Sequence, residues 1–173
     1  MRNTLAIAQK ELRSYFMSPI GYIAIGMFAL LYGYFYVTML DYFVQQSMGA
    51  GQFGGAQAMN VNQVMIRPLL QNVTILLLFI MPMITMRSYA EEKRSGTIEL
   101  LLTSPLSDAE IIVGKFLGAL LLWCVMLAIS LIHIGLLFLY GRTEWKEIVT
   151  AYLVLVLMGG CFISSGLFIS SLT

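Results

Sequence analysis

Four long apolar stretches constrain the fold of this chain more than any other feature of its sequence. They cover residues 20–40, 69–86, 116–140 and 148–172. A helix rises about 1.5 Å per residue, so roughly 20 residues cross a hydrocarbon core of about 30 Å. Only 11% of the residues are charged, against roughly 25% in soluble domains, and 59% are hydrophobic. The sequence therefore predicts an all-α, polytopic membrane protein with four transmembrane helices at these positions.

The segment before the first span is too polar to cross a membrane but has helical periodicity. Residues 3–17 carry an apolar stripe at 3–4 spacing, formed by Leu5, Ala8, Leu12, Tyr15 and Phe16. Lys10 and Arg13 lie on the other side of that helix. This pattern is typical of an amphipathic helix lying at the membrane surface, with its cations among the headgroups. The alternative is a cytosolic stub that only carries positive charge.

The distribution of lysine and arginine predicts the orientation, because cytoplasmic loops are enriched in both. If the N-terminus is cytoplasmic, the inside holds seven of them: Arg2, Lys10, Arg13, Arg87, Lys93, Arg94 and Lys115. The outside then holds three: Arg67, Arg142 and Lys146. The N-terminus is therefore expected inside. Residues 41–67 become a flexible outer loop, and the charged stretch after the second span becomes a cytoplasmic loop.

That cytoplasmic loop contains a short apolar segment, at residues 95–104, followed by a helix start. Pro105 ends the segment, and Ser107 and Glu110 form a capping-box pattern before a long apolar run. The helix that begins there is predicted to extend from Asp108 to Tyr140, about 50 Å, so its first turns should protrude or tilt along the interface. A helix of one or two turns is unstable alone in water. The segment 95–104 is therefore expected to dock on a soluble partner or on the membrane surface. The alternative is a loop that lies passively on the lipid headgroups.

Small residues four apart recur in the spans and indicate close helix packing, within the chain or with a second copy. The pairs are Ala29 and Gly33, Gly114 and Gly118, Gly160 and Ser164, and Gly166 and Ser170.

Few residues support catalysis or metal binding. The Gly114–Lys115 dipeptide is no phosphate-binding loop, because Ala109 and Phe116 stand where a glycine and a hydroxyl are needed. His133 lies inside a span without an acidic partner there, which favours a hydrogen-bonded packing histidine over a reactive one. Cys124 and Cys161 also fall inside spans and are interpreted as small hydrophobic residues. We therefore expect no enzyme, no metal site and no nucleic-acid partner.

Two stretches carry a resemblance to a known family. "EEKRSGTIELLLTSPLSDAEIIVGKFLG", residues 91–118, resembles the cytoplasmic signature of the ABC transporter type-2 permease family. "KELRSYFMSPIGYIAIGMFALLYG", residues 10–33, is similar to the start of the gliding-motility branch of those permeases. The resemblance covers nearly the whole chain in order.

The resemblance implies a permease subunit of an ATP-binding-cassette exporter in the inner membrane. Its ATP and magnesium would be held by a separate ATPase, and it would move a substrate or perform mechanical work. Residues 3–17 become the interfacial elbow helix, with Lys10, Arg13, Tyr15 and Phe16, and residues 95–104 become the coupling helix. The implied ATPase contacts are Arg94, Gly96, Thr97, Glu99, Leu100, Leu101, Leu102 and Pro105. The partners would be that ATPase and a second permease, identical or related. The family has six spans, so these four are expected to be the first four, and the fifth and sixth either follow in a longer chain or come from elsewhere. The alternative function is a non-transporting membrane anchor that recruits a cytoplasmic partner in a motility or secretion machine.

Overall fold

The computed structural model describes residues 2–52, 61–95, 107–140 and 145–172, and the described part of the chain is helical without strands. The α-helices are α1 (Arg2–Met17), α2 (Pro19–Gln52), α3 (Arg67–Ser95), α4 (Asp108–Tyr140) and α5 (Trp145–Leu172). The last four are long and apolar enough to cross a membrane. The prediction of an all-α protein with four candidate transmembrane helices is confirmed.

The four long helices form one bundle and alternate in direction. Thr85 and Met86, late in α3, contact Gly166 and Ser170, late in α5, so these two helices are parallel. Trp123 of α4 contacts Leu155 and Gly159 of α5 in antiparallel register. We call the end of the bundle that carries α1 the proximal end. The end at which α3 and α5 begin is the distal end.

The core lies where all four long helices meet. Its fully buried side chains include Phe28 and Tyr32 from α2, Leu77 and Met81 from α3, Leu122, Trp123 and Met126 from α4, and Ile163 from α5. The outward-facing side chains are also large and apolar, among them Leu30, Phe79, Leu157 and Phe168. A bundle that is apolar on both faces gains little from burial when lipid surrounds it. Close packing and interhelical hydrogen bonds must therefore hold the helices together.

The first long helix extends well beyond the predicted span. The sequence indicated a flexible outer loop from residue 41, whereas α2 continues to Gln52. Side-chain hydrogen bonds support the extension, since the Gln46 amide donates to the Tyr42 hydroxyl at 2.6 Å and Ser47 donates to the Val44 carbonyl at 2.8 Å. At 34 residues α2 is about 51 Å long, so its polar last turns lie beyond the hydrocarbon region.

The third helix also exceeds its predicted span at both ends. A π-helical turn, Asn62–Ile66, leads directly into α3, which passes Pro82 and ends at Ser95. Pro82 lacks the N–H that would bond to the Leu78 carbonyl. Thr85, one turn later, donates its hydroxyl to the Met81 carbonyl at 2.9 Å. Because α3 continues nine residues beyond position 86, it carries the chain as a helix up to the segment predicted to be the coupling helix.

Candidate functional site

The candidate site is the proximal end of the bundle, where α1 meets the start of α4. Helix α4 begins at Asp108 and ends at Tyr140, as predicted. The Glu110 N–H donates to Ser107 Oγ at 3.3 Å, and the Ser107 N–H donates to Glu110 Oε2 at 3.3 Å. This reciprocal pair satisfies two N–H groups that a helix start leaves without partners. The capping box fixes Asp108 as the point at which α4 begins.

Helix α1 packs on α4 at a surface made by two glycines. A Cβ on Gly114 would lie 2.6 Å from Cγ2 of Ile7, and a Cβ on Gly118 would lie 2.6 Å from Cβ of Glu11. Both distances are shorter than any real Cβ contact, so a side chain at either position would force the helices apart. The predicted small-residue pair thus has a partner within the chain, namely α1.

A buried ion pair joins the same two helices. Lys115 Nζ lies 3.0 Å from Glu11 Oε1, and the two side chains are 1% and 10% exposed. Removing two charges from water carries a desolvation penalty, which their attraction and hydrogen bond offset only while both are present. Loss of the Glu11 carboxylate would remove the opposite charge that α1 supplies to the buried Lys115 ammonium. The docking of α1 on α4 therefore depends on keeping the Glu11 carboxylate within hydrogen-bond distance of the Lys115 ammonium.

The buried face of α1 differs from the predicted apolar stripe. Ala8 and Tyr15 are buried as expected, but Glu11 is buried between them and Leu5 is 65% exposed. At 100° per residue, the centre of the buried face, with Ala8, Glu11 and Tyr15, is rotated by roughly 60° from the centre of the apolar stripe. The helix thus has one face on α4, whereas Leu5 of the apolar stripe is directed outward and half-buried Phe16 packs against the core.

The remaining residues predicted for the interfacial helix lie where a surface helix would place them. Lys10 and Arg13 are exposed, on the side of α1 away from the apolar stripe. The helix itself is confirmed, since residues 2–17 form α1. Its position at a membrane surface stays a prediction.

The predicted ATPase contacts fall almost entirely outside the described residues. Gly96, Thr97, Glu99, Leu100, Leu101, Leu102 and Pro105 belong to that group. Arg94 lies in the last turn of α3, of which the backbone is described. The coupling assignment therefore stays a prediction, and the structure defines the two helices on either side of it.

Those two flanking helices pack on different neighbours. At the proximal end α3 lies against α5, where a Cβ on Gly166 would overlap the Thr85 side chain and Ser170 donates to the Met86 carbonyl at 3.4 Å. The start of α4 lies against α1. At this end the two helices therefore belong to separate helix pairs, α3 with α5 and α4 with α1.

Farther along α4, Trp123 ties it to both neighbouring spans. Its Nε1 donates to the Leu155 carbonyl at 3.1 Å, and its ring packs edge-on against Phe28 with centroids 5.9 Å apart. A Cβ on Gly159 would overlap the indole, so this glycine lets the ring lie on the backbone of α5. The sequence analysis did not identify Trp123 and Gly159, because neither spacing nor charge distinguishes them from the other apolar and small residues of the spans.

A polar and aromatic cluster lies nearer the distal end. The His133 ring lies 5.3 Å from the ring of Tyr32 and 5.2 Å from that of Tyr36, and its Nδ1 lies 3.2 Å from the Ile129 carbonyl. A carbonyl oxygen only accepts, so Nδ1 carries the proton in this bond. His133 thus makes the hydrogen bond and the ring contacts expected of a packing histidine, and its lack of a functional role stays a prediction. Cys124 and Cys161 are free thiols, and no group of metal-ligating side chains occurs among the described residues.

Four long apolar helices, with a fifth helix docked at their proximal end, define a multi-pass α-helical membrane protein. The family described as "ABC-2 family transporter protein" matches residues 5–173, and the chain belongs to that family. The "Probable ABC transporter permease protein NosY" of Pseudomonas aeruginosa is 35% identical over 80 residues, which cover 44% of this chain and 29% of that protein. The match thus spans less than a third of the length of this relative. No solved structure matches the chain.

Proposed function

We propose that this chain is the permease subunit of an ATP-binding-cassette exporter and that it couples ATP hydrolysis in a separate ATPase to work across the membrane. Membership of the ABC-2 family supports the transporter class. The similar protein from Pseudomonas aeruginosa is named as an ABC transporter permease. The work is movement of a substrate or mechanical work, as the gliding-motility resemblance implies. ATP and magnesium bind in the ATPase, and this chain contributes no catalytic residue.

The proposal places the N-terminus and the proximal end in the cytoplasm, with the protein in the inner membrane. The excess of lysine and arginine on that side supports this orientation. It also places Lys115 and its partner Glu11 at the cytoplasmic boundary of α4, where the long helix enters the membrane. Trp145, an exposed aromatic residue at the start of α5, then marks the opposite boundary.

Residues 95–104 are the proposed contact with the ATPase. Leu100, Leu101 and Leu102 stand in a row in a cytoplasmic loop, and burying three such side chains offers roughly 5–8 kcal/mol of gross transfer free energy. The acidic and basic residues on either side would set the register of the contact. Gly96 and Pro105 bound the segment, so its helix is short and gains stability by docking.

Transmission proceeds through the two helices on either side of that segment. When the ATPases close on ATP, they move the coupling segments, and α4 begins one residue after the capping serine, Ser107. The 33 residues of α4 form one helix without an internal proline, so a shift at its start reaches Trp123 and the core. The Glu11–Lys115 pair holds α1 on the proximal end of α4, so the two helices move together when α4 tilts.

A second permease, identical or related, completes the proposed transporter. Helix α2 supports a lateral contact, because a Cβ added at Gly26 or Gly33 would meet nothing within 4 Å. These two glycines lie seven residues apart on a face that also carries exposed Leu30. Small residues on an open helix face permit close approach of another helix in lipid.

The experiment is purification of the chain from its native membranes together with its bound partners, for the wild type, Leu101→Asp and Leu101→Met. The aspartate puts a charge into the docking surface, so the ATPase should be lost from the membrane complex while membrane insertion is unchanged. The methionine keeps volume and apolarity, so the complex should survive. Retention of the ATPase with Leu101→Asp would refute the coupling assignment. A co-purified partner without nucleotide-binding motifs would instead identify a membrane anchor.

A further inference from the structure

The distal end of the bundle contains a cleft that the coupling function does not use. It lies between the first turns of α3 and α5 and has a volume of about 510 Å³. This lies within the roughly 300–1,000 Å³ of typical small-molecule sites. Its walls are formed by Ile66 from the π-helical turn, by Arg67, Leu70, Gln71 and Thr74 from α3, and by Lys146, Glu147, Thr150, Ala151, Val154 and Leu155 from α5.

The cleft changes from charged to apolar with depth. Its rim carries Arg67, Lys146 and Glu147, all exposed, which gives a net charge of +1. Among the residues that the structure describes, neither rim cation has a carboxylate within ion-pair distance. The wall below becomes apolar toward Val154 and Leu155, about 12–14 Å along α5 from Lys146. A ligand that fits both parts has an anionic head and an apolar tail.

The position of the cleft in the membrane further restricts the class of ligand that it can bind. Trp145 is exposed in the turn that forms the rim, and exposed tryptophan is typical of the headgroup region. The rim cations then lie at the depth of lipid phosphates. The apolar part of the wall, down to Val154 and Leu155, then extends over about a third of the hydrocarbon thickness, at the depth of the acyl chains.

We propose that this cleft binds an anionic phospholipid of the leaflet away from α1, which is the outer leaflet in the proposed orientation. The lipid phosphate lies between Arg67 and Lys146, and one acyl chain lies along Val154 and Leu155. Glu147 opposes the phosphate and tunes the affinity. Such a lipid holds the distal ends of α3 and α5 together, and their proximal ends are already joined through Thr85, Gly166 and Ser170.

Native mass spectrometry of the purified full chain tests the site with two lipids of equal chains, dioleoyl phosphatidylglycerol and dioleoyl phosphatidylethanolamine. The wild type should retain the anionic lipid in preference to the zwitterionic one. Each of Arg67→Gln and Lys146→Gln should weaken retention of the anionic lipid about fivefold, and the double variant about 25-fold. Lys146→Arg keeps the charge and should retain the lipid.

Glu147→Gln is the control of opposite sign, because it removes the one rim group that repels the phosphate. It should strengthen binding of the anionic lipid by about fivefold. A purely structural role of the rim would not make the two kinds of substitution act in opposite directions.

A third variant separates a lipid from a free phosphate. Val154 is exposed in the cleft wall, so Val154→Trp fills the apolar part without disturbing the core. Lipid retention should fall to the background level, and inorganic phosphate at millimolar concentration should not compete in the wild type. Equal retention of both lipids, binding that survives Val154→Trp, or displacement by inorganic phosphate would each overturn the proposal. Cross-linking of Thr150→Cys to a helix of another protein would also overturn the proposal, because a protein helix would then cover the cleft in place of a lipid.

Discussion

Neutralising Glu11 isolates the contribution of the buried ion pair to the docking of α1. Glu11→Gln keeps the size of the side chain and removes its charge, so Lys115 remains buried opposite a neutral amide. The glycine contacts of α1 stay as they are, because neither Gly114 nor Gly118 is changed. Any loosening of α1 then reports the charge alone.

The magnitude follows from the burial of the pair. Breaking a buried ion pair by removing one partner costs about 3–5 kcal/mol. Glu11 keeps 10% of its side-chain surface exposed, so the lower figure of about 3 kcal/mol applies. Every 1.4 kcal/mol is a factor of about ten, so the undocked population of α1 should rise roughly 100-fold.

Hydrogen exchange of the full chain in lipid nanodiscs measures that population. Amides of α1 should exchange roughly 100-fold faster in Glu11→Gln than in the wild type, while those of α5 should keep their protection. Arg13→Gln is the matched control, because Arg13 is an exposed cation-bearing residue on the same helix, and its exchange should stay close to that of the wild type.

The double variant Glu11→Met with Lys115→Met removes both charges of the pair. Replacing both charges by apolar side chains of similar volume is often neutral, so most of the lost protection should return. Two results would refute the reasoning. Protection of α1 could remain unchanged in Glu11→Gln, or α1 could exchange faster in the double variant than in Glu11→Gln.

Two further predictions concern packing. Gly118→Val places a side chain against Cβ of Glu11 and should destabilise the chain by about 1–3 kcal/mol in thermal unfolding, whereas Gly135→Val, at an open position of the same helix, should change stability by less than about 0.5 kcal/mol; equal effects would contradict the α1 contact. The protein has two tryptophans, so Trp145→Phe leaves Trp123 as the sole emitter, and its fluorescence should be blue-shifted and resistant to acrylamide because the indole is fully buried. Quenching as strong as that of the wild type would place Trp123 at the surface.

The sequence was sufficient for the features that depend on neighbouring residues. The start of α4 followed from Ser107 and Glu110, because a capping box lies within four residues and satisfies its own N–H groups. The apolar spans followed from length and composition. The glycine pair at 114 and 118 indicated a helix contact, although its spacing could not identify α1 as the partner.

The features that depend on distant residues could not be predicted in the same way. Glu11 has the appearance of a surface charge in its own helix, because its partner Lys115 lies 104 positions away. The end of α2 was placed too early, since the glycines and glutamines after residue 41 favour a loop, while the Gln46–Tyr42 bond and the continuing backbone extend the helix. The role of Gly159 became visible only with the Trp123 ring beside it.

The most direct test of the central claim is sided thiol labelling at Leu101, in membrane vesicles of known orientation. The variant Leu101→Cys is combined with alanine at Cys124 and Cys161, so that one thiol remains, and a membrane-impermeant maleimide is added with and without the bound ATPase. The account predicts labelling from the cytoplasmic side alone and its loss when the ATPase is bound. Labelling from the outer side, or equal labelling in the presence of the ATPase, would contradict it.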